Sequence, residues 1–366
     1  MLLLLLPLSL AADGDCIRWS DPEPSGAIDQ PELAEISGLV ASRGAGDHYW
    51  AHADSGNEDR LYALTPDGAL LGLLEVTEAE NEDWEDIAAG PCPAEGRSGC
   101  ACLFLADIGD NELERDSYAL LRVTEPDLEL GQTEAAAATW FTYPDGRHDA
   151  EALLMHPLTG EALVITKADG PSGVYAFEQS PPALASTAAP EEVTLALTLD
   201  AEALGAADPE FTGGDVSPDG RWIALRTPGS LLLYPVGEGE TLASALAGDP
   251  EVIPAPDVEL GEAVAFSPDG DALLLGDEGA PTAALWTLTC EDFEAADVLA
   301  SHPMEDCTLD DAEEDKSCGC AAPKGQGPVG GLLFGLTLLA TAARRSPRRA
   351  RRPARPGLRG ARGTGP

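Results

Sequence analysis

The sequence predicts an all-β repeat array closed into a β-propeller, with five blades and six as the alternative. Three observations predict it. Five segments begin with an oxygen-bearing residue and continue as an apolar run, four of them reaching a Pro: Ser37–Ser42, Glu85–Pro91, Glu151–Pro157, Thr212–Pro218 and Glu262–Pro268. Aligned on their turns, they place Ser37, Glu85, Glu151, Thr212 and Glu262 at one equivalent position. The spacings are 48, 66, 61 and 50 residues, which suit a four-stranded blade with insertions. Finally, 44% hydrophobic residues over 366 positions is enough for a large core, and 39 Gly with 30 Pro suit turns rather than a helix bundle.

Each repeat then supplies short apolar runs bounded by turn residues, the signature of strands. The first repeat offers His48–His52, Arg60–Leu64 and Leu70–Val76, and the third Ala162–Thr166, Gly173–Phe177 and Val193–Leu199. The fourth offers Trp222–Leu225 and Leu231–Tyr234, and the fifth Ala272–Leu275 and Ala284–Leu288. A helical interruption is expected near Thr241–Leu246. The fifth repeat lacks an outer strand while Cys16-Ile17-Arg18-Trp19 at the N-terminus is unassigned, so that segment is expected to close the ring. Cys290 ends the Trp286 run, which makes a Cys16–Cys290 disulfide the expected lock. Cys92, Cys100 and Cys102 share one loop, where a local bridge is expected, and Cys307 is left for the spare cysteine.

Both ends read as addresses. The apolar run of residues 1–12, ending Ser9-Leu10-Ala11, reads as a secretory signal peptide, although no basic residue precedes it. The propeller domain is placed at 13–300 and an acidic stalk at 301–317. A tail follows at 318–366, with an apolar helix at 329–343. Fifteen residues at about 1.5 Å each reach only ~22 Å, short of a ~30 Å hydrocarbon core. Cys318-Gly319-Cys320, a Gly/Pro spacer, that apolar stretch and the cluster Arg344, Arg345, Arg348, Arg349, Arg351, Arg352 resemble the MYXO-CTERM sorting tail of bacterial surface proteins. The resemblance implies cleavage near the cysteines and an outward-facing domain held at the cell surface or outer membrane. A plain single-pass anchor is the alternative.

Charge narrows the function classes. Nine Arg and no acid lie beyond residue 343, so residues 1–343 carry 12 basic and 65 acidic groups, a balance of −53. A phosphate backbone is repelled by such a domain, and nucleic acid is excluded as its partner. A monomer is expected, binding an anionic small molecule or a surface partner.

In a propeller the first strands line the central channel, so Ser37, Glu85, Glu151, Thr212 and Glu262 are expected to face one another. Three carboxylates at one level repel and are costly to desolvate, and a divalent cation relieves both. An all-oxygen ring suits Ca²⁺ better than Zn²⁺. A water-filled tunnel is the alternative.

This order of ring residues resembles the soluble calcium-activated apyrases. So do the strings Ala34-Glu35-Ile36-Ser37, Glu82-Asp83-Trp84-Glu85 and Ala53-Asp54-Ser55-Gly56. The resemblance implies a central Ca²⁺ held by the ring. It departs from that family where Thr166-Lys167-Ala168 stands in place of an Arg pair. The strings Asp-Trp-Glu-Asp and Asp-Ile-Gly-Asp-Asn also resemble those of other bacterial exported propellers.

A second set of polar residues falls at the ends of the second strands, near the channel mouth: Asp54, Asp107, Asp110, Lys167, Arg226, Asp277 and Glu278. Lys167 and Arg226 are expected to grip a phosphate or carboxylate, with ion pairing to a neighbouring Asp as the bland alternative. Asp54 and Asp107 are candidates to orient water, and His148, beside Asp149 and Glu151, is a candidate general base. No nucleophile elbow, phosphate loop or dinucleotide fingerprint is present. The expectation is therefore an exported, surface-anchored propeller with a ligand-binding or structural role. The alternative is a Ca²⁺-dependent hydrolase of phosphorylated or other anionic small molecules.

Overall fold

The computed structural model describes residues 16–291, apart from 17, 45, 94–99, 181–189, 257, 259 and 280. The signal peptide at 1–12, the stalk at 301–317, the tail at 318–366 and Cys307 lie outside the described residues. Among the described residues no helix is long and apolar enough to cross a membrane.

The chain opens with strand β1 (Glu23–Ile28) and then builds blade 1 from β2 (Ile36–Ala41), β3 (Tyr49–Ala53), β4 (Arg60–Leu64) and β5 (Leu70–Thr77). Blade 2 starts with β6 (Trp84–Pro91), β7 (Ala101–Asp107) and β8 (Tyr118–Thr124). The chain then detours to lay β9 (Gln132–Ala135) parallel against β5 before β10 (Ala137–Thr142) completes the blade. Blade 3 comprises β11 (Ala150–Met155), β12 (Ala162–Thr166) and β13 (Ser172–Ala176). A second detour, β14 (Glu191–Glu192), lies parallel beside β10, and β15 (Thr194–Leu199) finishes the blade. After the short helix α1 (Ala201–Leu204), blade 4 takes β16 (Gly213–Val216), β17 (Trp222–Thr227) and β18 (Ser230–Pro235). Helix α2 (Leu242–Ala245) interrupts it before β19 (Glu251–Pro254). Blade 5 is β20 (Gly261–Phe266), β21 (Ala272–Asp277) and β22 (Ala283–Thr289), completed by β1. The two detours account for the longer spacings of 66 and 61 residues in the sequence.

The fold is therefore a five-bladed β-propeller, and the six-bladed alternative is excluded by five sheets that close on one another. Closure shows in the core, where each of five apolar clusters lies between one pair of neighbouring blades. Trp50 and Trp84 meet between blades 1 and 2, Phe104 and Met155 between 2 and 3, and Leu154 and Leu225 between 3 and 4. Leu233 and Phe266 meet between 4 and 5, and Leu39 and Ala265 bring blade 5 back to blade 1. Inner strands are buried on both faces, so they read in sequence as continuous apolar runs. Outer strands such as β5 and β15 are half exposed.

The N-terminus closes the ring, but the strand is Glu23–Ile28 and not Cys16–Trp19, where Trp19 forms an isolated bridge to Cys290. Pro24 and Gly26 disguise this strand. An outermost strand tolerates Pro because its far edge needs no N–H partner. Gly26 is required by a close approach, since a Cβ there would sit 2.1 Å from the Asp67 carbonyl oxygen in the blade 1 hairpin. The Cys16–Cys290 disulfide is present, as is a local bridge, Cys92–Cys102.

Candidate metal centre

The inner strands deliver their ring residues through a shared backbone irregularity. In blades 1, 2, 3 and 5 the pairing of first and second strands slips by one residue, and the residue left without a partner is Ser37, Glu85, Glu151 or Glu262. Such bulges re-aim a side chain out of the regular pleat. All four of these residues line one cavity of about 190 Å³, together with Asp54, Asn111, Lys167 and Glu278. Blade 4 has no slip in β16–β17, and Thr212 does not join the lining. Its hydroxyl instead donates to the Gly261 carbonyl at 2.7 Å and ties blade 4 to blade 5.

Glu85 is the pivot of the cavity. It is 5% exposed, and its only nearby donor is the Ser37 hydroxyl. That hydroxyl has one hydrogen to share between the Glu85 carbonyl at 2.6 Å and carboxylate Oε2 at 3.3 Å. Among the described residues, the buried Glu85 carboxylate thus has one long, shared donor at Oε2 and none at Oε1. Carboxylate atoms of Asp54, Asp83 and Glu85 lie within 4.8 Å of one another, and so do those of Glu85, Asp149 and Glu151. Asp83 and Asp149 did not emerge as ring residues from the sequence. Each stands just before its strand, two residues ahead of the bulged Glu85 or Glu151, in Asp83-Trp84-Glu85 and Asp149-Ala150-Glu151.

Burial, compounded by like charges, dominates the electrostatics. It pushes Glu85 well above the ordinary carboxylate range, with Glu151, Asp54, Asp83 and Asp149 adding repulsion. Burial raises Glu151 to about 8 despite the relief from Lys167, and raises Glu262 and Glu278 to about 7 and Asp83 to about 6. Lys167 Nζ stands 2.5 Å from Glu151 Oε1. Its burial alone would lower it, but Glu151 and Glu262 overcome that and hold it firmly protonated.

A supporting layer fixes these carboxylates. The loop after β7 passes directly beneath them, and Gly109 comes so close that a Cβ would meet Glu85 Oε1 at 2.1 Å and Asp83 Oδ2 at 2.6 Å. The Asp110 amide donates to Asp149 Oδ1 at 2.7 Å, and the Asp83 amide donates to Asp107 Oδ1 at 3.1 Å. Arg115 clamps the loop, reaching Asp107 at 2.8 Å and donating to the Gly109 carbonyl at 2.9 Å.

The structure separates the sequence candidates. Asp54 and Lys167 line the cavity. Asp107 does not; it is buried behind the cavity as the partner of Arg115. His148 lies in an aromatic cluster with Tyr143 and Tyr175, its Nε2 3.0 Å from Asp145 and 3.1 Å from the Tyr175 hydroxyl. Arg226 has no exposed surface: it donates to the Ala263 and Gly276 carbonyls at 2.7 and 2.9 Å and pairs with Asp277. The pairing of Arg226 with Asp277 is the bland alternative of the sequence reading, realised as a fastening between blades 4 and 5.

The donor set is oxygen throughout, and the buried carboxylates lack sufficient compensating charge. Those are the properties of a site for a hard divalent cation. No family model and no curated protein matches the chain. Among solved structures it is similar to a luciferin-regenerating enzyme, with a TM-score of 0.39 and 10% identity over 74% of this chain and 97% of that one. It is also similar to U3-55K, with a TM-score of 0.33 and 12% identity over 69% of this chain and 67% of that one.

Proposed function

We propose that this protein is an exported, cell-surface β-propeller whose central cavity binds a divalent cation, Ca²⁺ by its donor chemistry, and that it serves as a ligand-binding or structural surface protein. The observation that carries the reading is the buried Glu85 carboxylate, which has one long, shared donor in Ser37 and is surrounded by Asp54, Asp83, Asp149 and Glu151. Left alone, such a group must hold a proton; a cation removes that requirement. The two disulfides and the signal-like first twelve residues support export, since such bridges persist in oxidising compartments. The resemblance of 318–366 to a sorting tail supports retention at the surface.

A second reading, a Ca²⁺-dependent hydrolase of phosphorylated or other anionic small molecules, is favoured by one observation: a protonated Lys167 facing the same cavity as the carboxylates. A bound divalent cation supplies Lewis-acid polarisation of a phosphoryl oxygen. Lys167 would hold the anionic group, and Asp54, half-buried on the loop after β3, would orient a water molecule.

Thermal unfolding with EDTA or Ca²⁺, alongside a screen of phosphate and carboxylate esters, tests both. The expected result is a Ca²⁺-dependent rise of the midpoint by several degrees. Glu85→Gln is expected to remove that rise. Hydrolysis that needs Ca²⁺ and Lys167 moves the assignment to the second reading. A midpoint indifferent to Ca²⁺ and to other divalent ions overturns both.

A further inference from the structure

Two carboxylate triads share Glu85, yet only one already has an internal cation. Asp54, Asp83 and Glu85 form the first triad, and Glu85, Asp149 and Glu151 form the second. The second has an internal cation at its edge, because Lys167 Nζ lies 2.5 Å from Glu151 Oε1 and its charge also acts on Asp149 and Glu262. Among the described residues the first has no cation in contact: Lys167 attracts Asp54 and Arg115 attracts Asp83 only at longer range, and Arg115 Nη1 is engaged by Asp107 and the Gly109 carbonyl. Glu85, 5% exposed, lines the cavity between the two triads, and among the described residues its Oε1 has no donor.

Geometry also prepares the first triad. Gly109 lets the backbone approach Glu85 Oε1 and Asp83 Oδ2 more closely than any side chain would allow. The Asp83 amide is anchored by its bond to Asp107. Two of the three carboxylates are therefore held against a rigid floor, which lowers the ordering cost of gathering them around an ion.

Resting on the reading of the cavity as a cation site, we propose that it takes one divalent cation, between Asp54, Asp83 and Glu85 on the blade 1–2 side. Lys167 is a tethered cation that fills the second triad and keeps a second ion out. The consequence for ligands is a division of labour within about 190 Å³. A small anion entering the cavity meets a divalent charge on one side and an ammonium on the other, so compact phosphates and carboxylates are its ligand class.

Equilibrium dialysis of the full chain against Mn²⁺, with electron paramagnetic resonance of the bound ion, tests the proposal. The wild type is expected to bind one Mn²⁺ with an isolated-ion spectrum. Lys167→Met is expected to bind two, with a spectrum broadened by coupling through Glu85, and Lys167→Met/Asp149→Asn is expected to return to one. Lys167→Gln repeats the measurement with a polar head against Glu151, and Asp83→Asn is expected to lose the ion at the same free Mn²⁺. Two ions in the wild type overturn the proposal, as does one ion in both folded Lys167 variants, or full retention by Asp83→Asn. No ion in the wild type overturns the cation reading of the cavity itself, a different failure from a wrong count.

Discussion

Gly109 shows how a residue without a side chain controls the chemistry of its neighbours. Its backbone touches the floor of the acidic cavity, and a methyl group there would press on the Glu85 and Asp83 carboxylates at 2.1 and 2.6 Å. Gly109→Ala is expected to weaken divalent-cation binding by about 10- to 100-fold, the usual cost of disturbing the layer behind a metal site. It should leave the far-UV circular dichroism unchanged. Calorimetric titration with Ca²⁺ checks this, and an unchanged affinity would show that the floor does not shape the site. At this scale the sequence was only partly legible. Ser37, Glu85, Glu151 and Glu262 could be found by aligning repeats, because each repeat places an oxygen-bearing residue before an apolar run. Arg226 was misleading because its position matches that of Lys167 in the preceding repeat, while the direction of its side chain depends on Asp277, 51 residues away. His148 was misleading for a similar reason: its partners Asp145 and Tyr175 are decided by packing, not by its neighbour Glu151.

Among the elements, the inner strands were easy to read, as were the outer strands β5 and β15, whereas β1, β9 and β14 were not. An inner strand is buried on both faces and announces itself as an apolar run, as in Leu153-Leu154-Met155. An outermost strand can hold an edge with few apolar residues, so β1 with its Pro and Gly, and β9 and β14 with their acids, carry no strand signature. Their places follow from what they pair with: β22, β5 and β10. The bulges at the ring residues are equally invisible in sequence, since a one-residue slip is a relation between two strands. Closure by β1 makes the Cys16–Cys290 bond more than decoration. It joins residues 274 apart just outside the strand that seals the ring. In the chain-entropy account, a loop of that length is worth about 4 kcal/mol or more. Cys16→Ala/Cys290→Ala is therefore expected to lower the unfolding midpoint by roughly 10 °C, given about 2–4 °C per kcal/mol for a domain of this size. Differential scanning calorimetry checks it, and a loss within about 2 °C would mean that the β1–β22 ladder seals the ring unaided.

Across the whole molecule, the acidic balance of −53 over residues 1–343 and the buried carboxylates at the centre act in the same direction. Burial raises Glu151 to about 8 and Glu262 and Glu278 to about 7, and it raises Glu85 well above the ordinary carboxylate range. In the unfolded chain these groups titrate near pH ~4.3. Between those limits the cation-free fold holds protons that the unfolded chain releases, so its stability falls as pH rises from about 5 to about 8. A divalent cation competes with those protons for the same oxygens. Its stabilising effect is therefore smallest at pH 5, where protons already neutralise the cavity, and largest at pH 8, where they have left. Unfolding midpoints measured from pH 5 to 8 in EDTA should decline, and the increment from saturating Ca²⁺ should grow over the same range. Added NaCl at matched ionic strength separates this from general repulsion, because screening acts on exposed charges over a Debye length and much less on buried ones. If NaCl reproduces the Ca²⁺ increment at pH 8, the surface and not the centre sets the pH response. If only Ca²⁺ does, the protons and the cation share the oxygens at the heart of the propeller.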